Sequence, residues 1–161
     1  MNFIIKDNTV ACMDALKTAC LNFLEEASAE LESQTKRNSA VGRVYGGQTK
    51  GDWQHYVDSA NMKAVVGNTL ENAIWEEYGT GEYALNDDGR KGGWWIPVGN
   101  ESGMISPAVV EAYGFTTSTN KAGQTFAHTY GKPPKRMFEN AKNTVEPMLE
   151  RALQSQLARL R

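Results

Sequence analysis

The chain has 161 residues, of which 40% are hydrophobic and 22% are charged, and its formal net charge at pH 7 is −2. This length and composition predict a single globular domain, residues 1–161, with a core of its own, and they argue against a disordered protein. A net charge so close to zero gives no general attraction to nucleic acid or to an anionic membrane, and no segment reaches the ~20 apolar residues of a membrane span.

The first predicted element is a long N-terminal helix over about residues 9–35. At a rise of ~1.5 Å per residue this helix would be about 40 Å long, which is long for a domain of this size. We therefore expect part of it to project or to pack against a neighbouring copy. Cys12 and Cys20 lie too far apart on the helix to bond each other and are predicted to be small buried apolar residues, as suits a reducing cytoplasm. Apolar residues recur at intervals of three and four: Val10, Met13, Leu16, Cys20, Phe23, Leu24, Ala27 and Leu31.

The middle of the chain is predicted to contain two flexible loops and a β-hairpin. Polar, glycine-rich residues 36–52 form the first loop and residues 79–93 the second. Between the loops, strands at 53–57 and 62–66 flank a four-residue turn, which is typical of a hairpin. A short helix over 70–78 follows the hairpin. One face of that helix is expected to be apolar and is formed by Leu70, Ala73, Ile74 and Tyr78.

The rest of the predicted sheet comes from a third strand and a second hairpin. The strand covers 94–98, where Pro97 places it at a sheet edge or at a strand end. Ser106-Pro107 and Gly114 are start and stop signals for a short helix. Residues 115–129 then predict a hairpin whose tip is 120–123.

A rigid loop is predicted to start the long C-terminal helix. Gly131 permits a turn that other residues resist, while Pro133 and Pro134 fix φ and remove backbone donors. A proline suits the first turn of a helix, where its missing N–H costs nothing. The apolar stripe of the helix is expected to contain Phe138, Ala141, Val145, Met148, Leu149, Ala152 and Leu153. The predicted fold class is α+β, with a long N-terminal helix, a small antiparallel β-sheet with short helical insertions, and a long C-terminal helix packed on the sheet.

Motifs for catalysis or cofactor binding are weak. Residues 79–84 match the spacing of a dinucleotide-binding fingerprint without the apolar strand that should precede it, and residues 46–51 lack the Lys and Ser or Thr of a phosphate loop. His55 and His128 lie in predicted strands with no further ligand at metal spacing. We assign no catalytic residue, no cofactor and no metal. A small metal- or nucleotide-binding enzyme stays open as an alternative, because carboxylates cluster in two segments at Glu76, Glu77, Asp87 and Asp88.

Two further patterns point to contacts rather than to chemistry. Trp94 and Trp95 are adjacent in a strand and must face opposite sides of it, so we expect one of them to meet another element or another subunit. Charge is also uneven along the chain, because residues 7–32 carry a net −5 and residues 132–161 a net +4. These two regions either attract each other, within the chain or between copies, or are ordinary solvated helix faces.

Three segments together resemble the neck proteins of tailed bacteriophages of siphophage type. The first is Glu-Glu-Tyr-Gly-Thr-Gly at 76–81, the second Trp-Trp-Ile-Pro at 94–97, and the third Tyr-Gly-Lys-Pro-Pro-Lys-Arg-Met-Phe-Glu-Asn-Ala at 130–141. Members of the family often carry Gly-x-x-Pro-x-x-Phe followed by Met or Phe, whereas this chain has Met137-Phe138 in the reverse order. The resemblance covers about residues 53–145 and the pattern of a long first helix.

The resemblance implies a structural virion protein of the head–tail interface, active in head–tail joining or tail completion and without enzymatic activity. Such proteins form rings, often hexamers, around the DNA channel and contact other neck, connector and tail-tube proteins, while DNA passes without specific binding. A tail terminator or a stopper ring is the alternative. The start of the chain lacks the pattern of a signal peptide. The resemblance implies synthesis in the host bacterial cytoplasm and a place in the virion neck or tail. The interface candidates are Trp94, Trp95, Lys132, Lys135, Arg136, Glu76 and Glu77.

Overall fold

A computed structural model describes residues 7–44 and 47–159 of the chain. The fold is α+β, as predicted: two long helices, three short helices and two small antiparallel sheets. In chain order the elements are α1 (Thr9–Asn38), α2 (Gln48–Gly51), β1 (Gln54–Asp58), β2 (Lys63–Gly67), α3 (Asn72–Tyr78), a 3-10 turn (Gly81–Tyr83), β3 (Trp94–Pro97), α4 (Pro107–Tyr113), β4 (Thr116–Thr119), β5 (Thr125–Thr129) and α5 (Met137–Ala158).

The strands form two sheets rather than the single sheet expected from the sequence. β1 pairs with β2 as a hairpin, and β5 lies between β3 and β4 in the other sheet, with every pairing antiparallel. β2 and β3 do not pair with each other, because α3 and a polar loop separate them along the chain. β3 pairs with β5 instead. The second predicted hairpin and the helix that begins after Ser106 are confirmed. The Ser106 hydroxyl accepts a hydrogen bond from the Val109 amide, and Gly114 ends the helix in the left-handed region at φ 66°.

α1 and α5 pack against each other in opposite directions. Near the end of α1, the Asn38 amide donates to the carbonyl of Met137 at 3.2 Å. Near the end of α5, the Gln156 amide donates to the Glu26 carboxylate at 3.0 and 3.1 Å. The buried hydroxyl of Thr35 donates to the Leu31 carbonyl of its own helix at 2.7 Å, so it is satisfied without a partner on α5. α1 also contacts both strands of the β1–β2 hairpin.

The first turns of α1 are exposed, which corrects part of the prediction. The Asp7 carboxylate, just before the helix, accepts a hydrogen bond from the Thr9 amide at 2.8 Å. Cys12 is exposed and Cys20 only half-buried, whereas both were expected to be buried. The reason is length: α5 ends at Ala158, two residues after its contact with Glu26, and does not reach the start of α1. The exposed fractions at the start of the apolar stripe are 75% for Val10, 63% for Met13 and 41% for Leu16.

The buried face of α5 also differs in detail from the predicted stripe. Its buried residues recur mostly at intervals of four, and Met137 replaces Phe138 as the most deeply buried residue of the first turn. Met148 and Leu153 are exposed, because they lie to either side of this narrower face. Phe138 instead stacks on Trp53, with ring centroids 5.7 Å apart. The buried residues of α5 are Met137, Ala141, Val145 and Gln156.

The core is small for a chain of this length. It joins the hairpin to α5 through Trp53, Ala73 and Met137, with Val66 and Phe138 packed against them. The chain exposes 11345 Å², roughly 3300 Å² more than the about 8000 Å² expected of a compact monomer of 17.8 kDa. Ten fully extended residues would add only roughly 1600 Å², so the ten residues outside the described ranges do not explain the excess. The buried apolar residues are Ala19, Trp53, Ala73, Ala127, Met137, Ala141 and Val145.

Two shorter helices also depart from the sequence reading. α2 and the last turn of α1 lie inside the predicted loop 36–52, of which residues 45 and 46 are outside the described part of the chain. In α3 the buried positions are Ala73 and Glu77, while Ile74 and Tyr78 of the expected apolar face are exposed. The reason is that α3 turns Glu77 towards α5. Within residues 7–44 and 47–159, no helix has both the length and the apolar character needed to cross a bilayer.

His55 of β1 connects the hairpin to α1. Its Nδ1 lies within hydrogen-bond distance of Glu32, and its Nε2 is 3.1 Å from Glu25. Hydrogen bonds to Glu32, and then to Glu25, raise the pKa of His55. Lys36 faces the same group and forms an ion pair with Glu32. Only the protonated ring donates from both nitrogens, so the arrangement favours the imidazolium.

We expect the stability of the wild-type protein to fall as pH rises through the His55 titration. A pKa raised above the usual value of about 6.5 means that the contribution is complete below pH 6.5 and is lost as pH rises through the folded-state pKa. The loss should be on the order of 0.5–1 kcal/mol, because Glu25 is largely exposed. Urea unfolding from pH 6 to 9 measures it. His55→Gln should show a flatter profile, and equal slopes for both proteins would contradict this role.

Candidate functional site

The three segments of the family resemblance meet at one place in the fold. Residues 76–82 run beside residues 130–139, and we call this pair of segments the clasp. Backbone hydrogen bonds join them along their length. The bonds run from Thr80 N to Lys132 O at 2.9 Å, Lys132 N to Thr80 O at 3.3 Å, Glu82 N to Tyr130 O at 2.9 Å, Lys135 N to Glu76 O at 2.7 Å and Arg136 N to Glu77 O at 3.3 Å.

Glycines allow the two segments of the clasp to lie this close. Gly131 has φ 108°, and a Cβ there would overlap the carbonyl oxygen of Thr80. Gly81 has φ 62°, and a Cβ there would overlap the carbonyl oxygen of Tyr130. Both positions therefore combine a left-handed backbone with a neighbour that leaves no room for a side chain.

Glu76 holds two cations of the second segment. Its carboxylate oxygens are 2.7 Å from Lys132 Nζ and 2.9 Å from Lys135 Nζ. Burial on its own would raise the pKa of Glu76, but the hydrogen bonds and charges of the two lysines outweigh it and lower the pKa below its usual value near 4.5. Three of the predicted interface candidates therefore form an ion-pair cluster within the chain.

Glu77 supplies the cap of α5. Its carboxylate is buried and accepts hydrogen bonds from the amides of Phe138 at 2.8 Å and Glu139 at 3.0 Å. Arg136 precedes the helix with φ 50° and offers no side-chain cap of its own. A negative charge at this end also complements the helix dipole. This corrects the reading of Glu77 as an exposed charge available to a neighbouring subunit, because α3 directs its side chain into the chain's own interior.

The two adjacent tryptophans lie in different surroundings. Trp94 is half-buried and contacts Gly81. The Arg90 guanidinium lies over its ring, 5.8 Å from the ring centroid. Trp95 is 49% exposed and contacts the His128 ring in a tilted arrangement, with ring centroids 4.8 Å apart. Of the two, Trp95 keeps a large surface open. Arg136 is also exposed and pairs with Glu139 at 2.7 Å.

Two depressions flank the clasp. The larger has a volume of about 1010 Å³ and reaches towards the three-stranded sheet, with apolar walls that include Trp94, Ile96 and Phe115. The smaller, about 320 Å³, lies between α3 and the residues after the 3-10 turn. We call the smaller one the socket. Its lining includes Ile74, Trp75, Tyr78, Gly81, Leu85 and Asp88.

The carboxylates proposed for a metal site do not come together in the described part of the chain. Glu76 pairs with Lys132 and Lys135, Glu77 caps α5, and Asp87 pairs with Lys91. Among residues 7–44 and 47–159, no group of three or more His, Cys, Asp or Glu side chains is arranged to hold a metal ion.

Comparison with protein-family models, with curated proteins and with solved structures finds no match to this chain.

We expect Glu76→Gln to lower the free energy of unfolding by about 1 kcal/mol at pH 7, because the amide cannot pair with two ammonium groups. A carboxylate with a lowered folded-state pKa contributes stability above its unfolded pKa and loses it as pH falls through the folded pKa. The gap between wild type and Glu76→Gln should therefore close between about pH 5 and pH 3. Urea unfolding at several pH values tests this, and a constant gap would argue against the cluster.

Proposed function

We propose that this chain is a structural subunit of the neck of a tailed bacteriophage, acting in head–tail joining or tail completion and assembling as a ring around the DNA channel. The observation that carries the proposal is the open surface. A subunit with a small core and roughly 3300 Å² more exposed area than a compact monomer has the character of a part of an assembly.

The clasp supports the link to the neck proteins in particular. The three segments of the resemblance are distant in sequence but form one set of contacts, in which Glu76, Glu77, Gly81 and Gly131 each have a defined structural task. These tasks concern the placement of α5 and of the loops beside it. None of these tasks is part of a chemical reaction, which agrees with a structural role for the protein.

The mass of the purified protein tests the proposal. We expect light scattering after size exclusion to give a multiple of 17.8 kDa, either for the protein alone or after addition of a head-connector or tail-tube component. A chain that stays monomeric and binds none of these components would overturn the proposal. An image of the particle would separate tail completion from the terminator and stopper positions, which differ in place along the neck.

A thermal-shift series addresses the enzymatic alternative. A ligand present at ~100 times its dissociation constant adds about 2.7 kcal/mol to stability. We expect Mg²⁺, Mn²⁺, Ca²⁺ and nucleotides to leave the melting temperature unchanged. A shift of that size would favour a small metal- or nucleotide-binding enzyme over the neck protein.

A further inference from the structure

The start of α1 is an apolar surface without a cover among the described residues. The apolar stripe of α1 is half-buried from Phe23 to Leu31 and continues towards the start of the helix as Val10, Met13 and Leu16, which are exposed. Every described residue from Thr9 to Thr18 is exposed, a length of about 15 Å. The surface is convex and aliphatic, with Lys17 beside it.

The socket is a second uncovered apolar surface, and it has the opposite shape. It is a depression of about 320 Å³. The exposed fractions of its lining are 60% for Ile74, 47% for Trp75, 48% for Tyr78 and 48% for Leu85. Exposed tryptophan and tyrosine side chains that share one concavity are typical of interface hot spots. The clasp shapes this depression, because Gly79, Thr80 and Gly81 form part of its wall.

We infer that the start of α1 of one copy docks in the socket of the next copy. The inference rests on the proposed function as a self-assembling subunit and names the contact through which it assembles. Docking buries an aliphatic and an aromatic surface at once, and methionine side chains such as Met13 make favourable contacts with aromatic rings. An apolar helix face seated in a groove is a recurrent mode of recognition.

Charge and area also favour a second copy as the occupant. Lys17 on the helix and Asp88 in the socket have opposite charges and form no ion pair among residues 7–44 and 47–159, so they can pair across the contact. Asp14, on the same exposed turns of α1, has to face away from Asp88 in this arrangement. A standard interface removes about 800 Å² from each partner, so a ring subunit with two neighbours loses about 1600 Å². The excess exposed surface described above is large enough to supply both contacts.

The contact joins two different surfaces and is therefore heterologous. Such a contact closes into a ring if the rotation between neighbours permits it and otherwise continues as a filament. Pairing of one α1 start with another would leave the aromatic socket open.

Mixing two variants tests the inference directly. Met13→Asp with Leu16→Asp alters the helix, and Ile74→Asp alters the socket; all three side chains are exposed, so little effect on folding is expected. Each variant alone should weaken self-association at least tenfold. Mixed together, the intact socket of the first should bind the intact helix of the second and give a dimer of twice 17.8 kDa. Val65→Asp, equally exposed on β2 but outside both surfaces, is the matched control.

The outcomes separate the contact from the proposed function. If all variants assemble as strongly as the wild type, the proposed contact is wrong and the ring proposal still stands. The same holds if the mixture of the two variants fails to form the dimer. If the socket variant lost only the binding of a tail-tube or connector protein, the socket would belong to that protein and the inference would be wrong. If the wild-type protein assembles only in the presence of a neck component, the same variants are assayed together with that component.

Discussion

Replacing Gly131 with alanine should lower the free energy of unfolding by roughly 3–5 kcal/mol. The backbone at Gly131 has φ 108°, and the added methyl group would overlap the carbonyl oxygen of Thr80. A strained backbone costs about 1–3 kcal/mol and overpacking a similar amount. Relief would require the two segments of the clasp to separate, which would break the hydrogen bonds between Thr80 and Lys132. In a chain of this length the melting temperature should fall by about 10–15 °C.

Gly123→Ala is the matched control for this substitution. Gly123 has φ 82° at the tip of the β4–β5 hairpin, and a Cβ there would meet nothing within 4 Å. Gly123→Ala therefore causes only the strain of a left-handed backbone at a non-glycine residue, which costs about 1–2 kcal/mol. Thermal unfolding of both variants distinguishes the two effects. Equal losses at Gly131 and Gly123 would show that close packing in the clasp contributes nothing.

Glu77→Ala should cost about 3 kcal/mol and loosen the first turn of α5. The substitution removes the acceptor of two part-buried amides, those of Phe138 and Glu139. Hydrogen bonds to a charged group are each worth about 1.5–3 kcal/mol, and an unsatisfied buried donor costs a similar amount. Urea unfolding monitored by helical circular dichroism measures the change.

Two further variants define the cause of that loss. Glu77→Gln keeps one oxygen acceptor and should lose about half as much stability. Glu139→Gln removes only the exposed pair with Arg136, which solvent screens, and should leave stability close to that of the wild type. If Glu77→Ala were as mild as Glu139→Gln, the buried carboxylate would not be the cap of α5.

Local signals in the sequence predicted most of the secondary structure. The periodicity of α1, the turn between β1 and β2, and the Ser106-Pro107 start of α4 all depend on residues close together in the chain. Each carries its own physical reason, such as a cap, a fixed φ or an alternating pattern. The structure confirms these elements to within a few residues.

The roles of the charged residues could not be predicted in the same way. The partner amides of Glu77 lie about 60 residues later in the sequence, and nothing in the neighbourhood of Glu77 indicates them. His55 likewise meets Glu25 and Glu32 only because the hairpin folds onto α1. The burial of Glu77 emerges only when α3 and α5 are placed together.

The length of α1 could be predicted from its pattern, but the exposure of its first turns could not. Val10 and Leu31 belong to one apolar stripe and read alike in the sequence. Their difference in exposure comes from the end of α5, which lies far away in the chain. An apolar stripe therefore predicts that a helix is covered, without indicating whether its own chain provides the cover.

The pairing of α1 with α5 also governs when the protein can fold. The two helices stand at opposite ends of the described chain, so their contact closes a loop of about a hundred residues, and contacts of such long range slow folding. During synthesis at about 5–20 residues per second, several seconds pass between the completion of α1 and the completion of α5, the helix that packs on it. A chain that ends before α5 would leave α1 without its contacts to Met137 and Gln156, although the β1–β2 hairpin could still pack on it, and Glu77 would have no helix to cap.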